Sequence, residues 1–406
     1  MDFKMIDGGI CAPKGFTASG IHCGIRKNKE KKDLALIMCE KECDTAAVFT
    51  KNLVYGAPIT VTRENISDGK ARGVICNSGI ANTCSPDGVE KARAMCDLAA
   101  EATGTKSSDF IVSSTGVIGP SINIEPIKNG MAQLVNELNS NGSDSAANAI
   151  MTTDTVKKEF AVEFEIDGKV CRIGAIAKGS GMIHPNMATM LCFITTDANI
   201  SSECIKSALL SSVEDSFNML SVDGDTSTND TVAVLASGLC GNERIESQNS
   251  DYAVFTEALS LLCKKIVRLM AKDGEGATKL VECVVSGAQN RETAKICAKS
   301  VISSSLVKSA MFGADANCGR ILCAIGYSGA QIDAGKIGID YISDAGSVTV
   351  CRNGVVIDFS EEKAKDILSA DEIQIAVSLN SGEEKATAWG CDLTYDYVKI
   401  NGDYRT

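Results

Sequence analysis

Apolar and polar positions along the chain follow two different periods, and the switches between them mark out the elements. Asp33-Leu34-Ala35-Leu36-Ile37-Met38-Cys39 is an apolar run of strand length, residues 46–50 read as another, and Gly73-Val74-Ile75-Cys76-Asn77-Ser78-Gly79 is a strand entering a turn. Residues 160–166 alternate, Asp167-Gly168 turns, and residues 170–177 return, which predicts a hairpin. Helical spacing begins behind Ser85-Pro86-Asp87, which offers a cap and a first-turn proline, and places Val89, Ala92, Cys96 and Ala99 on one face. Ser201 or Ser202 caps a second helix that carries Ile205, Leu209, Val213 and Phe217. A third, over residues 252–270, repeats Phe255, Leu259, Leu262, Ile266 and Leu269. Residues 136–149 are the most loop-like patch of the first half, and the tail reads as a last strand with a frayed end. Strands and helices alternate throughout, so the class is α/β.

At 406 residues the chain suggests two lobes, or one large α/β body with an appended region. Hydrophobic residues make up 44% and charged residues 23%, which suits a packed core and excludes a disordered chain. The net charge of −12 argues against nucleic acid and anionic membranes as partners, because both reward clustered Lys and Arg. With no secretory leader and no apolar run of membrane-spanning length, the expected location is the cytoplasm. The 18 cysteines are then read as free, mostly buried thiols. No CxxC occurs and only His22 and His184 offer imidazole, so no metal site is expected.

Candidate chemistry sits where small-residue loops meet strands. Lys178-Gly179-Ser180-Gly181-Met182-Ile183-His184-Pro185-Asn186-Met187-Ala188-Thr189-Met190-Leu191 passes from a Gly-rich loop into the buried strand of residues 189–194. Taken alone, Thr189 is a β-branched residue at a strand start. Residues 110–120 deliver a strand into Ser113-Ser114-Thr115-Gly116, whose exposed amides and hydroxyl suit either a plain turn or an oxyanion. Thr152-Thr153-Asp154-Thr155 offers hydrogen bonds to a ligand, or a strand edge. Asp223-Gly224-Asp225-Thr226-Ser227-Thr228-Asn229 opens like a calcium loop, but Thr228 stands where the turn glycine belongs and Val234 where the bidentate Glu belongs. Phosphate-loop, dinucleotide and Gly-x-Ser-x-Gly spacings are missing.

Lys-Gly-Ser-Gly-Met-Ile, Pro-Asn-Met-Ala-Thr-Met-Leu and Thr-Thr-Asp-Ala, in that order from Lys178 to Ala198, resemble the self-cleavage segment of the ornithine acetyltransferases, also called glutamate N-acetyltransferases. Ala12-Pro13-Lys14-Gly15-Phe16 near the start and Gly313-Ala314-Asp315-Ala316-Asn317-Cys318-Gly319-Arg320 near the end extend the likeness over nearly the whole chain. Cys318 departs from it, standing where the family carries Trp.

The resemblance implies a layered α-β-β-α body, shared with self-cleaving aminopeptidases, and a smaller C-terminal lobe. It implies cleavage between Ala188 and Thr189 into an alpha chain, 1–188, and a beta chain, 189–406, associated as two cleaved protomers, alpha2beta2. Thr189 would be the nucleophile, with Thr115 and Gly116 as the oxyanion hole. Thr152, Lys178, Thr189, Glu275, Asn401 and Thr406 would contact substrate, with the tail closing over it. The reaction would carry acetyl from N2-acetyl-L-ornithine to L-glutamate with no bound cofactor; acetyl-CoA is a second donor in bifunctional members. His184 is a weaker candidate for an extra base. Rival readings are a related N-terminal-nucleophile aminopeptidase or amidase, and a non-catalytic amino-acid-binding homologue.

Overall fold

The computed structural model describes residues 3–184 and 190–403. Two compact units result, one from residues 1–179, 186–214 and 226–266, the other from residues 180–185, 215–225 and 267–406. Both are mixed α/β.

The first unit holds β1 (Lys4–Ile6), β2 (Phe16–Ile21), β3 (Leu34–Phe49), β4 (Lys70–Ile80), β5 (Phe110–Val117), β6 (Lys158–Ile166), β7 (Lys169–Lys178) and β8 (Leu191–Thr196). After β9 (Leu220–Ser221), which joins the other sheet, comes β10 (Thr231–Ala236). The sheet runs β1-β6-β7-β8-β10-β3-β4-β5, with β2 also paired to β3. The β6–β7 hairpin is as expected, with positive φ at both turn residues, Asp167 (51°) and Gly168 (67°). The apolar runs at residues 33–39 and 46–50 prove to be one strand. Exposed Glu40, Lys41 and Glu42 lie between them, where the register with β4 shifts between Met38 and Cys43, so a bulge carries the ladder past the polar residues.

Helices α1 (Ala57–Asn65), α2 (Gly88–Thr103), α3 (Ile124–Asn136), α4 (Ser143–Ile150), α5 (Ser202–Glu214) and α6 (Ser250–Lys272) follow in chain order. Strand alternation divides the core. Ala35, Ile37, Val74 and Ile111 pack with Ala146, Ala149 and Ile150 of α4. Leu34, Leu36, Ile75, Phe110 and Val112 pack with Met95 of α2 and Ile127 of α3. The loop expected over residues 136–149 is therefore corrected by α4. Its small residues suit a close approach: a Cβ at Gly20 of β2 would meet the Ser145 carbonyl at 2.1 Å. In α2, Val89 is exposed, and Asp87 accepts from Ser85 and Ser121 instead of capping the helix with its side chain.

The second unit adds β11 (Leu280–Ala288), β12 (Gly338–Ser343), β13 (Gly346–Arg352), β14 (Val355–Val356), β15 (Glu372–Ser378) and β16 (Glu384–Cys391). Their order is β14-β13-β12-β15-β11-β16-β9. Of α7 (Arg291–Ser303), α8 (Ser305–Phe312), α9 (Cys318–Gly326) and α10 (Glu361–Leu368), α7 packs on β11 and β16. The tail is more than a strand and a frayed end, because Thr394 caps a further helix, α11 (Tyr395–Gly402). No helix among the described residues is long and apolar enough to cross a membrane.

Candidate functional site

In the first unit, parallel pairing of β4 with β5 shapes the turn that carries Thr115 and Gly116. Gly79 lies opposite Gly116, and the register slips at Ile80. A Cβ on Gly116 would meet the Gly79 carbonyl carbon at 2.2 Å, and its φ is 132°, so only glycine lets the two backbones approach this closely. Asn229 braces the same turn, its Nδ2 donating to the carbonyls of Ala81 and Ser114 while its Oδ1 accepts from Thr83.

Lys178 ends β7 and pairs across the ladder with Leu191, the first residue of β8. Its Nζ donates to Thr115 Oγ1 at 3.2 Å. The next backbone N–H, from Gly179, donates to Asp154 Oδ1 at 2.7 Å, and the N–H of Thr152 donates to Asp154 Oδ2 at 2.9 Å. Thr152 thus joins the group through its backbone. Asp154 is also paired with Lys158 at 2.7 Å, with both side chains fully buried. Burial pushes the Asp154 carboxyl up, but the cations of Lys158 and Lys178 outweigh it and hold the group below the usual carboxylate range. Asp230 behaves oppositely. Burial drives its carboxyl well up, against hydrogen bonds from Ser227 and Thr50 and the Lys178 charge. Its Oδ2 has no hydrogen-bond partner among the described residues.

In the second unit, the segment after Gly179 is tied down by two acids. Met182 and Ile183 donate backbone N–H groups to Asp223, at 2.5 and 2.8 Å. Glu275 donates its own N–H to the Ser180 carbonyl at 2.9 Å, and a Cβ on Gly181 would strike its carboxylate carbon at 2.3 Å. Glycine at 181 therefore leaves room for that carboxylate, and Asn401 Nδ2 donates to its Oε2 at 2.7 Å. Asp223, Glu275 and Asp225 add to burial in pushing the Tyr397 phenol up. His184 lies 3.0 Å from Ser221 Oγ and 3.4 Å from Ser303 Oγ. Burial, followed by the Lys299 charge, lowers its pKa to about 4 against the pull of Asp223, so it is neutral near pH 7.

Of the residues picked from sequence, Thr115, Gly116, Lys178 and Thr152 come together in one unit, and Glu275 and Asn401 meet in the other. Ala188, Thr189 and Thr406 lie outside the described residues. Sequence reasoning passed over Asp154 as an acid, along with its partner Lys158. A signal was present, since Asp154 is the one acid in the Thr-rich run 152–155. Asp223 and Asp230 were passed over too, though Asp223 opens the calcium-like run and Asp230 directly follows it. One metal-like convergence exists among the described residues, that of Cys171, Asp197 and Cys240.

Comparison with known proteins gives one consistent result. The model of the ArgJ family matches residues 17–406. The arginine biosynthesis bifunctional protein ArgJ 1 of Clostridium acetobutylicum is 50% identical over 392 residues, 96% of each chain. The ArgJ protein of Caldanaerobacter subterraneus is 47% identical over 404 residues, 99% of this chain and 100% of the relative. Among solved structures, the argJ protein of Bacillus halodurans is 47% identical with a TM-score of 0.49, covering 52% of this chain and 97% of that one. An ornithine acetyltransferase of Mycobacterium tuberculosis, complexed with ornithine, is 35% identical with a TM-score of 0.43, covering 46% of this chain and 100% of that one.

Proposed function

The chain belongs to the ArgJ family, and from that premise we propose that it carries acetyl from N2-acetyl-L-ornithine to L-glutamate through an acetyl ester on Thr189. It is an acyltransferase of arginine biosynthesis. The chain is first cut between Ala188 and Thr189. Thr189 Oγ attacks the Ala188 carbonyl, an N-to-O acyl shift gives an ester, and water hydrolyses it. The α-amine so released, with a reference pKa of about 7.7–8.0, serves as base for the hydroxyl of its own residue. That accounts for acyl transfer in a chain with two histidines.

Thr189 then takes the acetyl group and ornithine leaves. Glutamate attacks the acetyl ester to give N-acetylglutamate. Thr115 and Gly116 stabilise the tetrahedral oxyanion, and Lys178, a cation 3.2 Å from Thr115 Oγ1, disfavours protonation of the new amine and pairs with a substrate carboxylate. Glu275, already bonded to Asn401, attracts the cationic end of ornithine. Thr152 and Thr406 complete the substrate contacts. No bound cofactor is required; acetyl-CoA serves as second donor if the chain is bifunctional as its relatives are named. Two cleaved protomers associate as alpha2beta2 in the cytoplasm.

The observation that carries this reading is the Lys178–Thr115 contact at the end of a strand paired with Leu191, two positions after Thr189 in the chain. The test pairs intact mass with product analysis for wild type and Thr189→Ala. Two fragments meeting at Ala188 and Thr189, an acetyl adduct on the second, and accumulating N-acetylglutamate are expected, with an uncut, inactive mutant. An uncut wild-type chain overturns the nucleophile. Free acetate in place of N-acetylglutamate moves the protein to the amidase class.

A further inference from the structure

Away from these residues, a second reactive group lies inside the first unit. Cys171 on β7 and Cys240 in the turn after β10 have sulfurs 2.9 Å apart, with Cys171 donating its S–H to Cys240. Backbone bonds fix both ends of this contact. Cys240 N–H donates to the Asp197 carbonyl at 2.8 Å and Asp197 N–H to the Arg172 carbonyl at 3.2 Å, while Arg172 N–H returns to Asp197 Oδ1 at 2.7 Å. Gly238 (φ 69°) and Gly241 (φ 85°) make the turn that presents Cys240. Cys171 is fully buried. Cys240 is 9% exposed, beside exposed Gly241.

We propose that Cys171 and Cys240 are a reversible disulfide site, oxidised by a low-molecular-weight disulfide. With the cleavage proposed above, on which this consequence rests, the bond would covalently join the two fragments, because residue 171 precedes the cut and residue 240 follows it. The order of attack follows from exposure. Cys240 thiolate attacks one sulfur of the small disulfide and expels one thiolate, leaving a mixed disulfide. Cys171 then loses its proton, attacks the Cys240 sulfur and expels the second thiolate. Two protein thiols are oxidised by two electrons, and the small disulfide is reduced to two thiols.

The hydrogen bond from Cys171 favours the thiolate on Cys240, lowering its pKa below that of a free thiol, and correspondingly raises that of Cys171. Burial, followed by the Asp197 charge, opposes that ionisation, and Cys240 Sγ also lies 2.7 Å from Asn242 Oδ1. A metal fits the same residues less well. Two sulfurs bound at about 2.3 Å to a tetrahedral ion lie about 3.8 Å apart, and both Asp197 oxygens already accept backbone N–H groups, from Arg172 and Lys14.

The purified protein is equilibrated with glutathione disulfide, quenched with an alkylating agent and run on denaturing gels with and without reductant, beside Cys171→Ser and Cys240→Ser. The expected wild type runs as one joined band without reductant and as two bands with it, and loses two of its 18 alkylatable thiols. Each variant gives two bands on both gels. Two wild-type bands without reductant, with both cysteines alkylated, overturn the proposal. So does stoichiometric zinc that each variant loses, without a disulfide. If the chain is never cut, reductant leaves one band, and the failure lies with the cleavage reading. A tryptic peptide linking Cys171 to Cys240 then tests the disulfide by itself.

Discussion

Asp154→Asn isolates the physical strain of the Lys178 region. The substitution keeps shape and volume but removes the carboxylate, which is fully buried, 2.7 Å from the equally buried Lys158 ammonium, and also accepts the N–H groups of Gly179 and Thr152. Leaving one partner of a buried ion pair alone costs about 3–5 kcal/mol. That is a large part of a folding stability of about 5–15 kcal/mol. Making both positions neutral removes the stranded charge, so Asp154→Asn with Lys158→Met should regain most of the loss.

Urea unfolding followed by circular dichroism measures all three proteins. The depressed Asp154 pKa sets the pH dependence. Its contribution is fully present above the unfolded carboxylate value of about 3.9 and is lost as pH falls through the lower folded value. Between pH 5 and 8 the gap between wild type and Asp154→Asn should therefore be flat. It should narrow only in acid. A single-mutant loss under about 1 kcal/mol, or a double mutant no more stable than the single, refutes the reasoning.

Gly116→Ala should destabilise by about 2–4 kcal/mol, because its Cβ meets the Gly79 backbone at 2.2 Å and its φ of 132° is costly for alanine; thermal melts check this. Thr115→Val keeps the shape and removes the hydroxyl, so kcat should fall about 100–1,000-fold with little change in melting temperature, as steady-state assay of N-acetylglutamate would show. His184, neutral in the fold down to about pH 4 against about 6.5 unfolded, makes stability fall as pH drops through that window. His184→Gln should remove that part of the slope in urea midpoints measured between pH 4 and 7.

Much of the fold was legible because its signals were local. The Asp167-Gly168 turn needs only two residues with positive φ, and the α6 pattern needs only its own apolar stripe. α4 was not legible. Its alanines and serines read as loop until β2 is beside them, and the space at Gly20 that admits them is a property of the pair. The same division holds among the candidate residues. Thr115, Gly116 and Lys178 stand in recognisable stretches, and Glu275 and Asn401 entered through family likeness. Lys158 stands four residues from Asp154 and could be seen beside it, but the second cation, Lys178, is brought in from the end of β7, which no short sequence window contains.

The strand order carries a consequence for how such an enzyme can be made. β8 and β10 belong to the stretch after residue 188, yet both sit between β7 and β3, which belong to the stretch before it. If the chain is cut between Ala188 and Thr189, the pieces are interleaved like cards in one deck, with neither piece owning a contiguous half of the sheet. Made separately, the first piece would expose the inner edges of β7 and β3 and the second would hold a bare two-strand ribbon, both of them invitations to aggregate. On that reading folding comes first and scission second, and a cut pair would keep an order of assembly that its two fragments could not repeat.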